Sequence, residues 1–167
     1  MHARGQTPAV VRHAVPGEFA RLRVVELESD RRYEALGFTP FERDESADRL
    51  VQAAAVFAVG EPAVGFLSLR VIDGEAHVDQ VSVLPERGRE GIGRALMEAA
   101  IGWAAGRGLS GVTLTTFRDV PWNAPFYRTL GFTEVMEPAP GLAGLRAHER
   151  DVGLDAHGAR VAMRRPR

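Results

Sequence analysis

Apolar and polar positions along the chain change period several times, and each change marks a predicted element. A short β-branched run at residues 9–14 predicts a first strand after a loose tail over residues 1–8. From Pro16 and Gly17 onward, Phe19, Leu22, Val25, Leu27 and Tyr33 recur at mostly three- to four-residue intervals, the spacing of a helix face. Leu36-Gly37-Phe38-Thr39-Pro40 ends that helix, and the charged run at 41–50 suits a loop leading into a second short helix. Residues 56–59, the turn Gly60-Glu61-Pro62 and residues 63–72 read as strand, turn and strand. Asp73-Gly74 is a tight hairpin signal, with residues 76–84 as the partner strand. Together these segments predict a three-stranded antiparallel meander.

Beyond Pro85 the period changes again. A glycine-rich turn feeds a helix over 92–107 with Ile92, Leu96, Ala99 and Trp103 on one face. Gly108 and Gly111 precede a strand at 112–117. Residues 123–130 suit a short helix ended by Gly131, and residues 132–136 start another strand. A Pro/Gly-rich loop, a helix near 142–151 and an apolar strand around 160–163 complete the chain. Hairpin strands that give way to alternating strands and helices predict an α/β (α+β) fold with a mixed sheet. No repeat, low-complexity tract or splitting linker interrupts it, so residues 1–167 read as a single domain.

Composition narrows the chemistry. Of 167 residues 45% are hydrophobic, enough for a substantial core, and the formal net charge is −1. That balance argues against a protein built to grip nucleic acid or an anionic membrane. All basic residues are Arg, so no Schiff-base or P-loop lysine exists. The absence of Cys excludes disulfides, cysteine nucleophiles and thiolate metal sites. The five His residues show no paired metal-ligand spacing, and no metal is expected. The first residues lack the apolar core of a signal peptide, and no apolar run approaches membrane-spanning length, so a cytoplasmic protein is expected.

The strongest local signal is Val81-Ser82-Val83-Leu84-Pro85-Glu86-Arg87-Gly88-Arg89-Glu90-Gly91-Ile92-Gly93-Arg94-Ala95-Leu96. A strand runs into a turn holding three glycines and a helix begins at once. Such a turn aims backbone N–H groups at one point, where the helix dipole also favours negative charge. A Cβ there would obstruct a phosphate or demand a strained backbone. A dinucleotide fingerprint fails, because Leu96 stands where the third glycine belongs, and a Walker A loop fails for want of Lys. A glycine turn that binds nothing remains the alternative from the turn alone.

The turn has company in the Asn123-Ala124-Pro125-Phe126-Tyr127-Arg128-Thr129-Leu130-Gly131-Phe132 block, and the two together resemble the GNAT superfamily of N-acetyltransferases. The resemblance covers at least residues 55–135. It implies a largely antiparallel twisted sheet flanked by helices, and acetyl-CoA as acyl donor without a metal. It implies that the backbone of the strand at Val81, Ser82 and Val83 pairs with the pantetheine arm. It also implies that Gly88, Arg89, Glu90, Gly91, Ile92, Gly93 and Arg94 wrap the pyrophosphate. Gly91 and Gly93 fall on the two glycine positions of the family pattern, while Gly88 stands where Gln or Arg is usual. Asn123 resembles the asparagine that contacts CoA in relatives, though its spacing to Tyr127 is about one helical turn short; it reads equally as an N-cap.

Acetyl transfer from a thioester to an amine requires loss of the amine proton and protonation of the departing thiolate. Tyr127 matches the family's thiol-protonating tyrosine, with a core aromatic as the bland alternative. Relatives often place a base on the strand entering the glycine turn. Strict alternation there puts His77, Asp79 and Val81 on one face and Val78 and Gln80 on the other. An imidazole of ordinary pKa near ~6.5 suits that task, and His77 reads equally as a surface histidine beside an acidic neighbour. Asp79 is a candidate for holding a cationic acceptor. Some relatives use water alone.

In the family the first helices wall the acceptor pocket. Here Glu26, Glu28, Asp30, Glu34, Glu42, Asp44, Glu45 and Asp48 would draw a cation, unless the interleaved Arg21, Arg23, Arg31, Arg32 and Arg43 make this a solvated face. Arg118, Asp119 and Trp122 are candidates for acceptor recognition. The acceptor is expected to be a small-molecule or peptide amine, and a homodimer is compatible with the resemblance. The competing reading is a non-catalytic acyl-CoA-binding module, which would not need a proton donor at Tyr127.

Overall fold

The Asp73-Gly74 signal is realised as a turn with φ of 53° and 74° at its two central residues, the backbone sense that matches the twist of paired strands. In the computed structural model, which describes residues 8–39 and 48–167, this turn lies at the centre of one seven-stranded sheet. Its strands are β1 (Val11–His13), β2 (Ala55–Val59), β3 (Gly65–Ile72), β4 (Glu75–Val83), β5 (Gly111–Phe117), β6 (Thr133–Glu134) and β7 (Arg160–Pro166). The order across the sheet is β1-β2-β3-β4-β5-β7-β6. Only β4 and β5 run parallel; the other five pairings are antiparallel. Residues 1–7 of the expected tail and residues 41–47 of the charged run at 41–50 lie outside the described residues.

The helices are α1 (Phe19–Asp30), α2 (Asp48–Val51), α3 (Ile92–Gly106), α4 (Ala124–Arg128) and α5 (Pro140–Asp151). They divide the core into two layers, one on each face of the sheet. On one face α3 buries Ile92, Leu96, Met97, Ala100 and Ala104 against Leu67, Leu69, Ala76, Val78, Val112 and Leu114. Ala99 and Trp103, expected on that stripe, are only partly buried at its margin, and Arg107 stacks on the Trp103 ring at 4.4 Å. On the other face α1 sets Phe19, Leu22 and Val25 against Val56, Ala58 and Phe66.

Two differences from the sequence reading have physical causes. Leu27 is half-exposed, and its place on the buried stripe goes to Glu26 and Ser29. Glu26 tolerates that burial because Arg23 and Arg49 both reach its carboxylate, at 3.2 and 3.0 Å. The helix also tightens into a 3-10 turn at Arg31–Leu36, so Tyr33 sits on the turn rather than on the helix. Further along, β7 slots between β5 and β6, making a C-terminal segment an interior strand.

The second correction concerns β4. Gln80 opposes Ser68 and Val78 opposes Leu69, which leaves Asp79 as an extra residue, a β-bulge. The bulge resets the alternation. His77 therefore shares the α1 face with Gln80 and Ser82, while Val78 shares the α3 face with Val81 and Val83. The expected grouping of His77, Asp79 and Val81 does not form.

Phe66 is fully buried where α1 meets the sheet. Replacing it with Ala should lower the unfolding free energy by about 3–5 kcal/mol. Urea denaturation should show this as a lower midpoint with an unchanged slope.

Candidate active site

Parallel strands β4 and β5 pair only at Ala76–Val112 and His77–Thr113 and then diverge. The bulge at Asp79 falls where the separation begins. The V between them opens a continuous cavity of about 910 Å³ that passes from one face of the sheet to the other. On the α3 face its walls are Val81, Val83, Leu114, Phe126 and Tyr127, with the glycine turn at the rim. On the α1 and α5 face they are Arg32, Tyr33, Arg70, Thr115, Phe117 and His148.

The glycine turn has the geometry of an anion cradle. Gly91 takes φ 78° as the N-cap of α3, and Arg89 adopts φ 64°, a left-handed conformation that costs a non-glycine residue about 1–2 kcal/mol. The first helical bond runs from the Ala95 N–H to the Gly91 carbonyl. The backbone N–H groups from Arg89 to Arg94 find no acceptor among the described residues. Six donors are thus left free at the positive end of a fifteen-residue helix, which suits a pyrophosphate. No side chain caps the helix, so nothing competes for the space. A Cβ at Gly88 would stand 3.1 Å from the Pro85 carbonyl oxygen, so this position serves the turn's close packing. Glu90 is held by Arg87 at 2.8 Å, and Arg94 reaches Thr129 at 3.4 Å. The edges of β4 and β5 beyond their last pair leave backbone groups for an extended ligand between Val81–Val83 and Leu114. These residues fit acetyl-CoA. Ser82 is the exception in side-chain direction: it is buried on the α1 face, where its hydroxyl accepts a hydrogen bond from the Gln80 amide at 2.8 Å.

Tyr127 stands on α4 with its ring among Phe126 and Phe132 and its residue in the cleft wall. Burial raises its phenol above the ordinary value, the neighbouring Tyr33 adds to this, and Arg32 opposes it. The phenol is therefore protonated at neutral pH. Asn123 occupies the N-cap position of α4, but its side chain makes no capping bond. Its amide Nδ2 donates to the Tyr33 hydroxyl at 2.8 Å instead, tying α4 to the turn after α1. Tyr33, expected only as a helix-face residue, thus lines the site between Trp122 and Phe117.

His77 is 2% exposed, and its Nδ1 lies 2.9 Å from the Thr113 hydroxyl. Burial lowers its pKa to about 4, with Arg70 acting in the same direction and Asp79 and Glu149 opposing. The imidazole is neutral at pH 7. Asp79 pairs with Arg70 at 2.9 Å. Beneath the cleft on α5, burial alone would raise the Glu149 carboxyl, yet Arg160, Thr115 and Arg146 together hold it below its ordinary range. Arg146 binds Glu149 at 2.6 Å and Asp155 at 2.8 Å, which clamps α5 to the following turn. His148, exposed on α5, also lines the open cleft one position away from Glu149. Trp122 lines the cleft as well, whereas Arg118 turns to Glu134 at 3.8 Å and Asp119 is not among the lining residues.

The geometry defines a class of enzyme, and comparison with known proteins agrees. The acetyltransferase (GNAT) family model matches residues 18–132, and the chain belongs to that family of acyltransferases. Solved structures share the fold at low identity. The ribosomal-protein-S18-alanine N-acetyltransferase from Escherichia coli is 17% identical with a TM-score of 0.66, covering 95% of this chain and 94% of that one. The PaiA N-acetyltransferase from Thermoplasma acidophilum, in complex with coenzyme A, is 15% identical with a TM-score of 0.66, over 96% and 100% of the two chains. The N-acetylglutamate synthase from Neisseria gonorrhoeae, complexed with coenzyme A and N-acetyl-glutamate, reaches a TM-score of 0.71 at 16% identity, over 96% of this chain and 35% of that one. Among the described residues no helix is long and apolar enough to cross a membrane.

Two outcomes are expected from this geometry. Gly91→Val places a β-branched residue at φ 78° and should weaken CoA binding by about tenfold or more, measured by calorimetry. Unchanged affinity in a folded variant would contradict the cradle. For His77 the folded pKa lies below the unfolded value, so the unfolded chain binds more protons between about pH 6.5 and 4. The stability held above that window is lost as pH falls through it. Thermal melts across the window should show a steeper decline for the native chain than for His77→Gln.

Proposed function

We propose that the chain transfers the acetyl group of acetyl-CoA directly to the amine of a small-molecule or peptide acceptor. One observation carries this reading: the cleft through the sheet joins an unsatisfied N–H cradle on one face to a polar chamber on the other, with Tyr127 in its wall. A donor held along the splayed edges of β4 and β5 would present its thioester at the point where the two chambers meet.

In this reading the rim donors from Arg89 to Arg94 hold the pyrophosphate, and the free backbone edge near Val81 and Val83 aligns the pantetheine arm. A backbone N–H of that edge is available to the thioester oxygen as negative charge develops. The amine attacks the carbonyl carbon, the carbon–sulfur bond breaks, and the Tyr127 phenol, protonated at neutral pH, gives its proton to the departing thiolate. His77 and Asp79 serve as positioning residues rather than as bases. The first is neutral, with a pKa near 4, and bonded to Thr113; the second is committed to Arg70. The amine's proton leaves to water in the open half of the cleft, and a proton from that water restores the Tyr127 phenol. Asn123 contributes by fixing Tyr33 against α4.

The reading is tested by thiol release from acetyl-CoA against a panel of amines, amino acids, aminoglycosides and peptides. Tyr127→Phe should lower kcat by about 10²-fold or more while CoA affinity stays close to that of the native chain. Equal turnover in the two proteins would remove the phenol's role as acid. Tight CoA binding with no acceptor-dependent release across the panel would support a binding module instead.

A further inference from the structure

Three buried side-chain donors of cleft-lining residues lack a hydrogen-bond partner, Arg32 Nε, Arg49 Nε and Trp122 Nε1, and of these Arg49 already spends a terminal nitrogen on Glu26. The Arg32 guanidinium carbon lies 5.0 Å from the centroid of the Trp122 ring, so the two form one stacked unit. Other arginines along this half are committed: Arg49 to Glu26, Arg70 to Asp79 and Arg160 to Glu149. Arg32 makes no ion pair among the described residues. The carboxylates of the chamber are engaged as well, including Asp30. Among the described residues of this half, Arg32 is the arginine left outside an ion pair, while Glu42, Asp44 and Glu45 of the acidic wall read from sequence lie outside the described residues.

The position of that charge is informative. The Arg32 guanidinium lies 5.0 Å from the Trp122 ring and 5.9 Å from the Tyr33 ring, and the Tyr33 hydroxyl is bonded to Asn123 at the start of α4, the helix that carries Tyr127, which sets Arg32 at the Tyr127 end of the cleft. Unsatisfied buried donors cost about 1–3 kcal/mol each, and more when charged, so an oxygen-bearing anion is the ligand chemistry that relieves them. A guanidinium presents parallel N–H groups that match a carboxylate in a bidentate pair. Among the described residues of this half, one guanidinium stands outside an ion pair, which matches a singly charged carboxylate better than a doubly charged phosphate.

We propose that Arg32 and Trp122 form a carboxylate subsite for the acceptor, so that the substrate is an amine with a carboxylate close to it, an α-amino acid in the simplest case. The assignment rests on the acetyl-transfer reading above. Trp122 supplies the stacking surface that holds the guanidinium flat and adds its own N–H. Asn123 and Tyr33, bonded to each other beside it, keep this wall in place.

The test uses the full chain with acetyl-CoA and the common L-amino acids, each compared with its amide and its decarboxylated amine. The free acid should exceed both by about tenfold or more in kcat/KM. Arg32→Gln should raise KM for the acid by about tenfold or more and leave KM for the decarboxylated amine within about twofold. Trp122→Phe, which keeps a ring and removes the N–H, should raise KM for the acid in the same direction by less. Calorimetric CoA binding reports whether each variant is folded. Preference for the amide, the amine or O-phosphoethanolamine overturns the subsite, as does an equal KM change for acid and amine. Where no amino acid reacts, calorimetry of the CoA-loaded chain with N-acetyl-L-amino acids and the matching N-acetyl amines decides, and binding indifferent to the carboxylate overturns it. Loss of CoA binding in the native chain would instead overturn the acetyl-transfer reading, and the subsite with it.

Discussion

Parallel strands β4 and β5 share backbone pairing at only two positions, and the site depends on where that pairing stops. Backbone groups left unpaired inside a protein must find partners, so a sheet that opens in its middle creates demand for an extended ligand. The bulge at Asp79 makes the opening sterically feasible by bending β4 at the point of separation. It also decides which side chains see which chamber: Val81 and Val83 turn to α3, and His77 and Gln80 to α1. Without the extra residue, the residues on one side of it would change faces relative to those on the other.

Around this opening the chain uses ion pairs where most cores use apolar packing. Glu26 on α1 and Glu149 on α5 are both nearly inaccessible, and each is held by two arginines. Such pairs contribute little net stability compared with apolar replacements, but removing one partner leaves a buried charge unmatched. Their effect here is geometric. They fix α1 and α5, the two helices that wall the acceptor chamber, at defined orientations to the sheet. With no lysine in the sequence, this wiring uses guanidinium groups throughout, whose planar donors span two carboxylates at once.

Tyr127 and His77 illustrate how one cause produces opposite usefulness. Burial keeps the phenol protonated, the state an acid requires, and it keeps the imidazole neutral, with its pKa too low for a strong base at neutral pH. Under the proposed transfer, the acceptor side relies on position and charge.

Much of the fold was legible in the sequence because it rests on local rules. The meander followed from apolar runs and Asp73-Gly74, and α3 followed from three glycines before a helical stripe. The anion cradle was legible for the same reason: glycine at positive φ and a helix N-terminus are properties of a dozen consecutive residues. Other features had no local signal. The bulge arises from the register of β4 against β3, so strict alternation misassigned the faces of His77, Asp79 and Val81. The insertion of β7 between β5 and β6, the tie between Asn123 and Tyr33 across ninety positions, and the arrival of His148 in the cleft all depend on packing between distant segments. The sequence by itself determined most of the elements and the glycine turn before α3, because periodicity and turn chemistry act over a few residues. The tertiary structure alone decided which charges cancel and which face of the sheet each side chain occupies, because burial and pairing exist only once remote segments meet.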